Sequence, residues 1–434
     1  MRQFLEAVRA CEPVVRIGQV NQISGLVVES NGPDVFLGEL CQIRPSGAAN
    51  GTVLAEVVAL KAGRVLLMPY GDLRGISLGS EIIATGRPVD VPVGEALLGR
   101  VVDAFGQPLD DGPPIQSTVS YPLYAEPINP LARSRIKQRL ETGVRAVDAL
   151  LTVGKGQRMG IFAGSGVGKS TLLGMIARNM QADVNVIALI GERGREVLDF
   201  IEDCLGREGL ARSVVVVATS DQPALVRSHA ALAATAIAEF FRNSGRDVVL
   251  TMDSVTRFAM AQREIGLAIG EPPTARGYTP TVFTVLPKLL ERSGTSAEAG
   301  SITAFYTVLV EGDDLNDPIA DSVRSIIDGH IVLSRDLANA GHFPAIDVLR
   351  SVSRLMRDLQ DEQGEQLAKE VVDLLSIYER SKDLVEVGAY RAGSNPKLDR
   401  ALKLMPEIDR FLQQSLDEKT SGSESTRRLS GIFG

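Results

Sequence analysis

The sequence predicts a multidomain chain: a β-rich N-terminal module, a central parallel α/β domain and a C-terminal helical domain. Three textures carry that expectation. Between Val14 and about Pro88, runs of strand composition such as VVRIGQV, TVLAEVVAL and RVLLMPY are broken by the turn signals NGPD, SGAANG and YGD. From about Arg139 to Phe343, short continuous apolar runs (MGIFAG, VNVIALIG, SVVVVATS, DVVLTMD, SITAFYTVLV) alternate with helical stretches, the pattern of strands buried on both faces. Beyond Asp347, SVSRLMRDLQ, EQLAKEVVDLLSIYERSKDL and KLDRALKLMPEIDRFLQQSL carry helix formers at 3–4 spacing.

Residues 1–12 open the chain as a short amphipathic stretch, with Phe4, Leu5, Val8 and Cys11 on one stripe and Arg2, Glu6, Arg9 and Glu12 elsewhere. Such a helix either tucks against its own domain or docks on a partner. The closely spaced strands of 13–90 suggest a small sandwich or barrel and carry no visible chemistry. Residues 91–135, rich in Pro and Gly, read as an ordered connector into the α/β domain, which is expected to run to 346. The region 347–434 is expected to be helical, ending in EKTSGSESTRRLSG, whose polar, Ser-rich composition predicts partial disorder.

Composition narrows the function classes. With 54 acids against 46 bases the net charge is −8, so nothing global draws the chain to a nucleic-acid backbone. Cys11, Cys41 and Cys204 are odd in number and far apart, and there are three His. A disulfide framework, a cysteine zinc site and a His-rich metal site are all disfavoured, and a reducing cytoplasm is expected. No apolar run approaches roughly 18 residues, and the start MRQFLEAVRACEPVV lacks a signal-peptide pattern, so neither cleaved secretion nor a membrane span is expected.

The strongest local signal is Ala163-Gly164-Ser165-Gly166-Val167-Gly168-Lys169-Ser170-Thr171, between the strand MGIFA and the helix STLLGMIARN. Strand, Gly-rich loop and helix are the context of a nucleotide-binding P-loop. Backbone N–H groups converge on phosphate oxygens, Lys169 reaches the β- and γ-phosphates, and the Ser170 hydroxyl can ligate Mg²⁺. Ala163 stands where the strict pattern has Gly. Downstream, the apolar strand DVVLTMD ends in Asp253. Placed beside the P-loop strand, this carboxylate would orient Mg²⁺ or its water; otherwise it caps the next turn. Glu192, at the end of VIALI, would face the crevice at the strands' carboxyl ends. It is a candidate to polarise the attacking water, in competition with Glu196 and with a plain surface salt bridge.

GERGREV after the P-loop, then LTMDSVTRFAMAQREIGLAIGEPP, EGDDLNDPIAD and HFPAIDVLRSVSRLM, resembles the catalytic subunits of rotary ATP synthases. The sequence is more similar still to the cytoplasmic ATPases of type III protein export, in the flagellar branch more than the virulence branch. The likeness spans nearly the whole chain. It implies an N-terminal β-barrel, a central RecA-like P-loop α/β ATPase domain and a C-terminal α-helical domain, assembled as a homohexamer that hydrolyses ATP with Mg²⁺.

By the same resemblance, Glu192 activates the water and Arg193 senses phosphate, while Arg354 reaches into the neighbouring subunit's site. Phe343 stacks on adenine, and Tyr390 is a second adenine candidate. An ion-paired Arg354 on a helix face and core aromatics at Phe343 and Tyr390 are the plainer alternatives. The resemblance places the loop from Ile265 and the acids Glu311, Asp313, Asp314 and Asp317 at a ring pore that would hold a central stalk-like protein; solvated loop charges are the plainer alternative for the acids. It also places a regulatory stator-like protein on residues 1–12, and it implies an export gate and substrate–chaperone complexes as partners at the cytoplasmic face of the inner membrane. Rivals are a virulence secretion ATPase and a rotary synthase subunit, the latter disfavoured because no acidic lever run lies between Gln360 and Glu418. A ring RNA translocase would want basic and aromatic residues in the N-terminal module, where Arg16, Arg44 and Phe36 are sparse. Retention of Glu192 and Lys169 argues against a non-catalytic ring subunit.

Overall fold

The computed structural model describes residues 15–45, 51–297 and 300–433, so the helix expected at 1–12 lies outside the described residues. Six antiparallel strands close on themselves: β1 (Ile17–Ser24), β2 (Val27–Ser30), β3 (Glu39–Arg44), β4 (Val53–Lys61), β5 (Arg64–Pro69) and β6 (Glu81–Pro88) form a barrel in the order β1-β2-β5-β4-β3-β6. Alternation sends Val28, Cys41, Ile43, Ala55, Val57, Leu67 and Ile82 into its interior. Of the two forms left open by strand spacing, sandwich or barrel, the barrel is found.

The connector is more than a tether. Strands β7 (Asp90–Val93) and β9 (Val119–Pro122) pair with each other, and between them β8 (Arg100–Val102) adds itself in parallel to the edge strand of the central sheet. Asp110 braces this segment, accepting from the Arg100 guanidinium at 2.6 Å and from Val101 N–H at 2.8 Å.

The central sheet runs, in spatial order, Ile346–Ser353, Gly329–Leu333, Arg158–Ala163, Ser301–Leu309, Asp247–Asp253, Val184–Ile190, Ser213–Ala218 and β8. All neighbours are parallel except the first pair. Two expectations need correction. The strand Ile346–Ser353 occupies residues read as the start of the helical region; it pairs antiparallel with Gly329–Leu333 and extends the sheet. The strand ending in Asp253 does not lie beside the P-loop strand, because Ser301–Leu309 is inserted between them.

The helix Ala224–Asn243 is the one described helix long and apolar enough to cross a membrane, and it is spent on the core: its small residues (AALAATAIA) bring it close against the sheet. His229 on this helix meets the barrel. Its Nε2 lies 2.8 Å from Glu56 Oε2, and Glu56 also accepts from the Tyr70 hydroxyl at 2.7 Å and the Tyr124 hydroxyl at 3.0 Å. Glu56, His229 and Tyr70 are buried and Tyr124 reaches in from the surface, and the cluster pins the barrel to the α/β domain.

Beyond the sheet, Asp361 caps the helix Glu362–Glu386 by accepting from Gly364 N–H at 2.8 Å, and Asn395 followed by Pro396 starts Pro396–Leu412. The tail read as partly disordered instead forms a helix, Gly422–Phe433, which buries Ser425 and Leu429 on one face.

Candidate functional site

Parallel strands put their carboxyl ends on one edge, and the expected residues gather there. The P-loop leaves Arg158–Ala163 and enters the helix Lys169–Asn179 through Gly168, whose φ of 89° is left-handed and suits glycine. Gly164, Ser165, Gly166, Gly168, Lys169, Ser170 and Thr171 line a cavity of about 810 Å³ with Glu192, Arg193 and Glu196. Val167, also in the loop, points inward and is buried. A loop of backbone N–H groups at a helix start suits a polyphosphate.

The cation of Lys169 is held by acids. Its Nζ pairs with Asp253 Oδ1 and lies 3.4 Å from Glu192 Oε1. Burial opposes the Lys169 charge, but Asp253 and Glu192 outweigh it and hold the group above its ordinary value. Asp253 is buried and also accepts from Thr307 Oγ1 at 2.8 Å, a hydroxyl on the inserted strand. Glu192 is pushed up to about 7 by burial and by the nearby Asp253, with Lys169 pulling the other way. It shares a hydrogen bond with Glu196, which is held low by that bond first. The two glutamates thus differ: Glu192 is buried against Lys169, whereas Glu196 faces outward to Arg193 at 3.3 Å. A carboxyl near 7 beside a phosphate-binding lysine has the affinity for protons that a general base needs.

Arg193 sits on the cavity rim, largely exposed. Arg354 lies outside the cavity, exposed, with its Nη2 donating to the Arg324 carbonyl at 3.4 Å. Phe343 is 43% exposed and its ring lies beside the loop: a Cβ at Gly168 would be 3.4 Å from it. It borders a second cavity of about 490 Å³ with Arg145, Arg410, Gln413 and Gln414. Tyr390 is not brought to either cavity. Its hydroxyl donates to Asp399 Oδ1 at 2.9 Å, on the second of the two long C-terminal helices.

One residue escaped the sequence reading. Arg257 lines the phosphate cavity from the helix Val255–Ala268, its Nε is buried without a hydrogen-bond partner, and no carboxylate among the described residues pairs with it. A cation left unpaired in a phosphate cavity awaits an anion. Its signal was the spacing: it follows Asp253 by one helical turn in DSVTRF.

For a divalent cation, the donors at hand are the Ser170 hydroxyl and the Asp253 carboxylate, and no group of three or more His, Cys, Asp or Glu among the described residues makes a protein cage. That sparse all-oxygen set fits Mg²⁺ arriving with phosphate oxygens and water.

Barrel, P-loop sheet and the facing acids define a P-loop ATPase. The family models agree along the chain: "ATP synthase alpha/beta family, beta-barrel domain" matches residues 20–86, its "nucleotide-binding domain" 143–353, and "T3SS EscN ATPase C-terminal domain" 360–431. The Flagellum-specific ATP synthase of Bacillus subtilis (strain 168) is 53% identical over 100% of this chain and 99% of its own length. That of Salmonella typhimurium is 52% identical over 99% and 96%. The assembled ATPase EscN of the enteropathogenic E. coli type III secretion system superposes with a TM-score of 0.91 at 45% identity, covering 96% of this chain and all of that one. In complex with its central stalk EscO, EscN superposes with a TM-score of 0.88 at 44% identity over the same shares. The chain belongs to the type III protein export ATPases, in the flagellum-specific branch, and is an ATP hydrolase.

Proposed function

We propose that this ATPase works as a homohexameric ring in which ATP hydrolysis drives chaperone release, unfolding and export of flagellar substrate proteins. The observation that carries the site assignment is the buried Lys169–Glu192–Asp253 cluster at the strands' carboxyl ends. Phosphates entering the loop compete for Lys169 and for Arg257. Glu192, freed of Lys169, accepts the proton of the attacking water. Ser170 and Asp253 would hold Mg²⁺, which would supply charge neutralisation at the phosphates. Phe343 offers its open face to adenine, and Arg193 stands at the rim near the γ-phosphate.

Arg354 does not line the cavity of its own chain, which supports a role in the neighbouring subunit's site. EscN assembled and bound to a central stalk supports the ring and a stalk-like partner in its pore. The N-terminal stretch 1–12 suits a stator-like regulator. The working place is the cytoplasm at the inner-membrane face, against the export gate. The test is turnover against protein concentration. Wild type should rise more steeply than linearly, and Arg354→Ala should lose roughly 10³-fold of that activity while keeping nucleotide binding. Specific activity independent of concentration, unaffected by Arg354→Ala, would remove the ring.

A further inference from the structure

The phosphate loop is tied to the acidic loop 311–317 by a contact that the chemistry of hydrolysis does not use. Arg335 Nε donates to Asp313 Oδ2 at 3.1 Å, and its Nη1 donates to the Ser165 carbonyl at 3.2 Å. Gly164 packs directly on this pair: a Cβ there would lie 2.5 Å from Arg335 Nη2 and 2.6 Å from Asp313 Oδ1. On its other flank, the acidic loop is held by Arg276, which donates to Asp314 at 2.8 Å and to Asp317 at 2.9 Å. Three of the four loop acids are therefore neutralised within the chain. Among the described residues, the only non-glycine positions with positive φ are Arg276 at 50° and Asp313 at 57°. Both belong to this bridge, and side chains hold such backbone only where the surroundings impose it.

We propose that Arg335 is a positioning residue for ATP: oriented by Asp313, it fixes the Ser165 carbonyl and so presets the phosphate loop for nucleotide. A loop built on glycines loses conformational entropy when its N–H groups converge on phosphate, and an anchored carbonyl removes part of that cost beforehand. The guanidinium suits the task because its fixed fork serves a carboxylate and a carbonyl together. Arg335 is half-exposed, so the ion pair itself adds little stability, and its value lies in placement. The proposal rests on the phosphate loop holding nucleotide, which Lys169→Ala tests separately.

The experiment measures kcat, KM for ATP, affinity for a fluorescent ATP analogue and thermal melting. It uses the full chain and its Arg335→Ala, Arg335→Lys, Asp313→Asn and Arg335→Ala/Asp313→Asn variants. Arg335→Ala should raise KM and the analogue Kd about tenfold, the scale of one charge-assisted hydrogen bond. Saturated kcat should stay within about twofold, with melting unchanged. Lys, a point donor, should restore only part of the affinity. The double variant should match Arg335→Ala, because Asp313 acts through Arg335. Unchanged KM in Arg335→Ala, or losses that add in the double variant, would overturn the proposal. Should Asp313→Asn not fold, Asp313→Gly removes the same carboxylate while accepting the left-handed backbone and gives the same comparison. Wild-type analogue binding by Lys169→Ala would instead overturn the reading of the phosphate loop.

Discussion

The barrel junction and the phosphate cavity are both buried polar clusters, built to opposite rules. At the junction, Glu56 accepts from Tyr70, Tyr124 and His229, and only His229 Nδ1 is left without a partner. In the cavity, Lys169 is shared by two acids, Glu192 is pushed toward neutrality, and Arg257 pairs with no acid among the described residues. A cluster whose charges are nearly all paired fixes the position of two bodies, whereas one with an unpaired cation stores demand that a ligand meets. Burial alone does not distinguish a joint from a site; the accounting of donors and acceptors does.

The comparison breaks first at Lys169. Lys169→Ala removes the cation that Asp253 and Glu192 share, leaves two acids facing the phosphates, and should abolish measurable ATP hydrolysis while weakening nucleotide binding. A phosphate-release assay beside a fluorescent-nucleotide titration reads both. Glu192→Gln should lower turnover about 10²- to 10⁴-fold with ATP still bound, since only proton acceptance is lost.

The pH profile sharpens this assignment. Glu192 must be ionised to accept a proton, and in the free enzyme it holds its own up to about 7. Wild-type kcat/KM should therefore rise with an apparent pKa near that value, and the Gln variant should lose this limb. A retained limb would shift the base to Glu196.

The smaller effect lies at the junction. Glu56→Ala strands His229 and two hydroxyls and should cost about 3 kcal/mol in denaturant titrations, with KM for ATP unmoved. Burial would raise the Glu56 carboxyl, but His229 and the two tyrosines outweigh it and hold it below the ordinary range. Its contribution is thus complete above about pH 4 and fades as pH falls through the lowered value. Acid should loosen the barrel before it disturbs the P-loop sheet, which proteolysis across a pH series would display.

Much of this was legible because periodicity is local. Five central strands announce themselves as unbroken apolar runs, and the P-loop declares its own strand and helix. What escaped depends on tertiary partners. Strand β8 is three residues long in a Pro- and Gly-rich stretch, and it is a strand only because Ser213–Ala218 offers an edge. Ile346–Ser353 pairs through a bulge that breaks its alternation. The final helix hides its apolar stripe among Ser, Gly and Thr, leaving Leu429 as its most buried apolar side chain. At the site, the loop residues and the two acids could be named from spacing, but the strand inserted between Asp253 and the P-loop could not.

The closed barrel has a consequence for how copies of this chain can meet. With β1 hydrogen-bonded to both β2 and β6, the described barrel strands leave no barrel edge free to recruit a strand from another molecule. What the barrel offers outward is side chains, among them the exposed Leu26, Leu37, Leu60 and Leu78. A neighbour docking there meets a patchwork of apolar and charged groups and gains no continuous ladder of backbone hydrogen bonds. Such contacts form and release with concentration and salt.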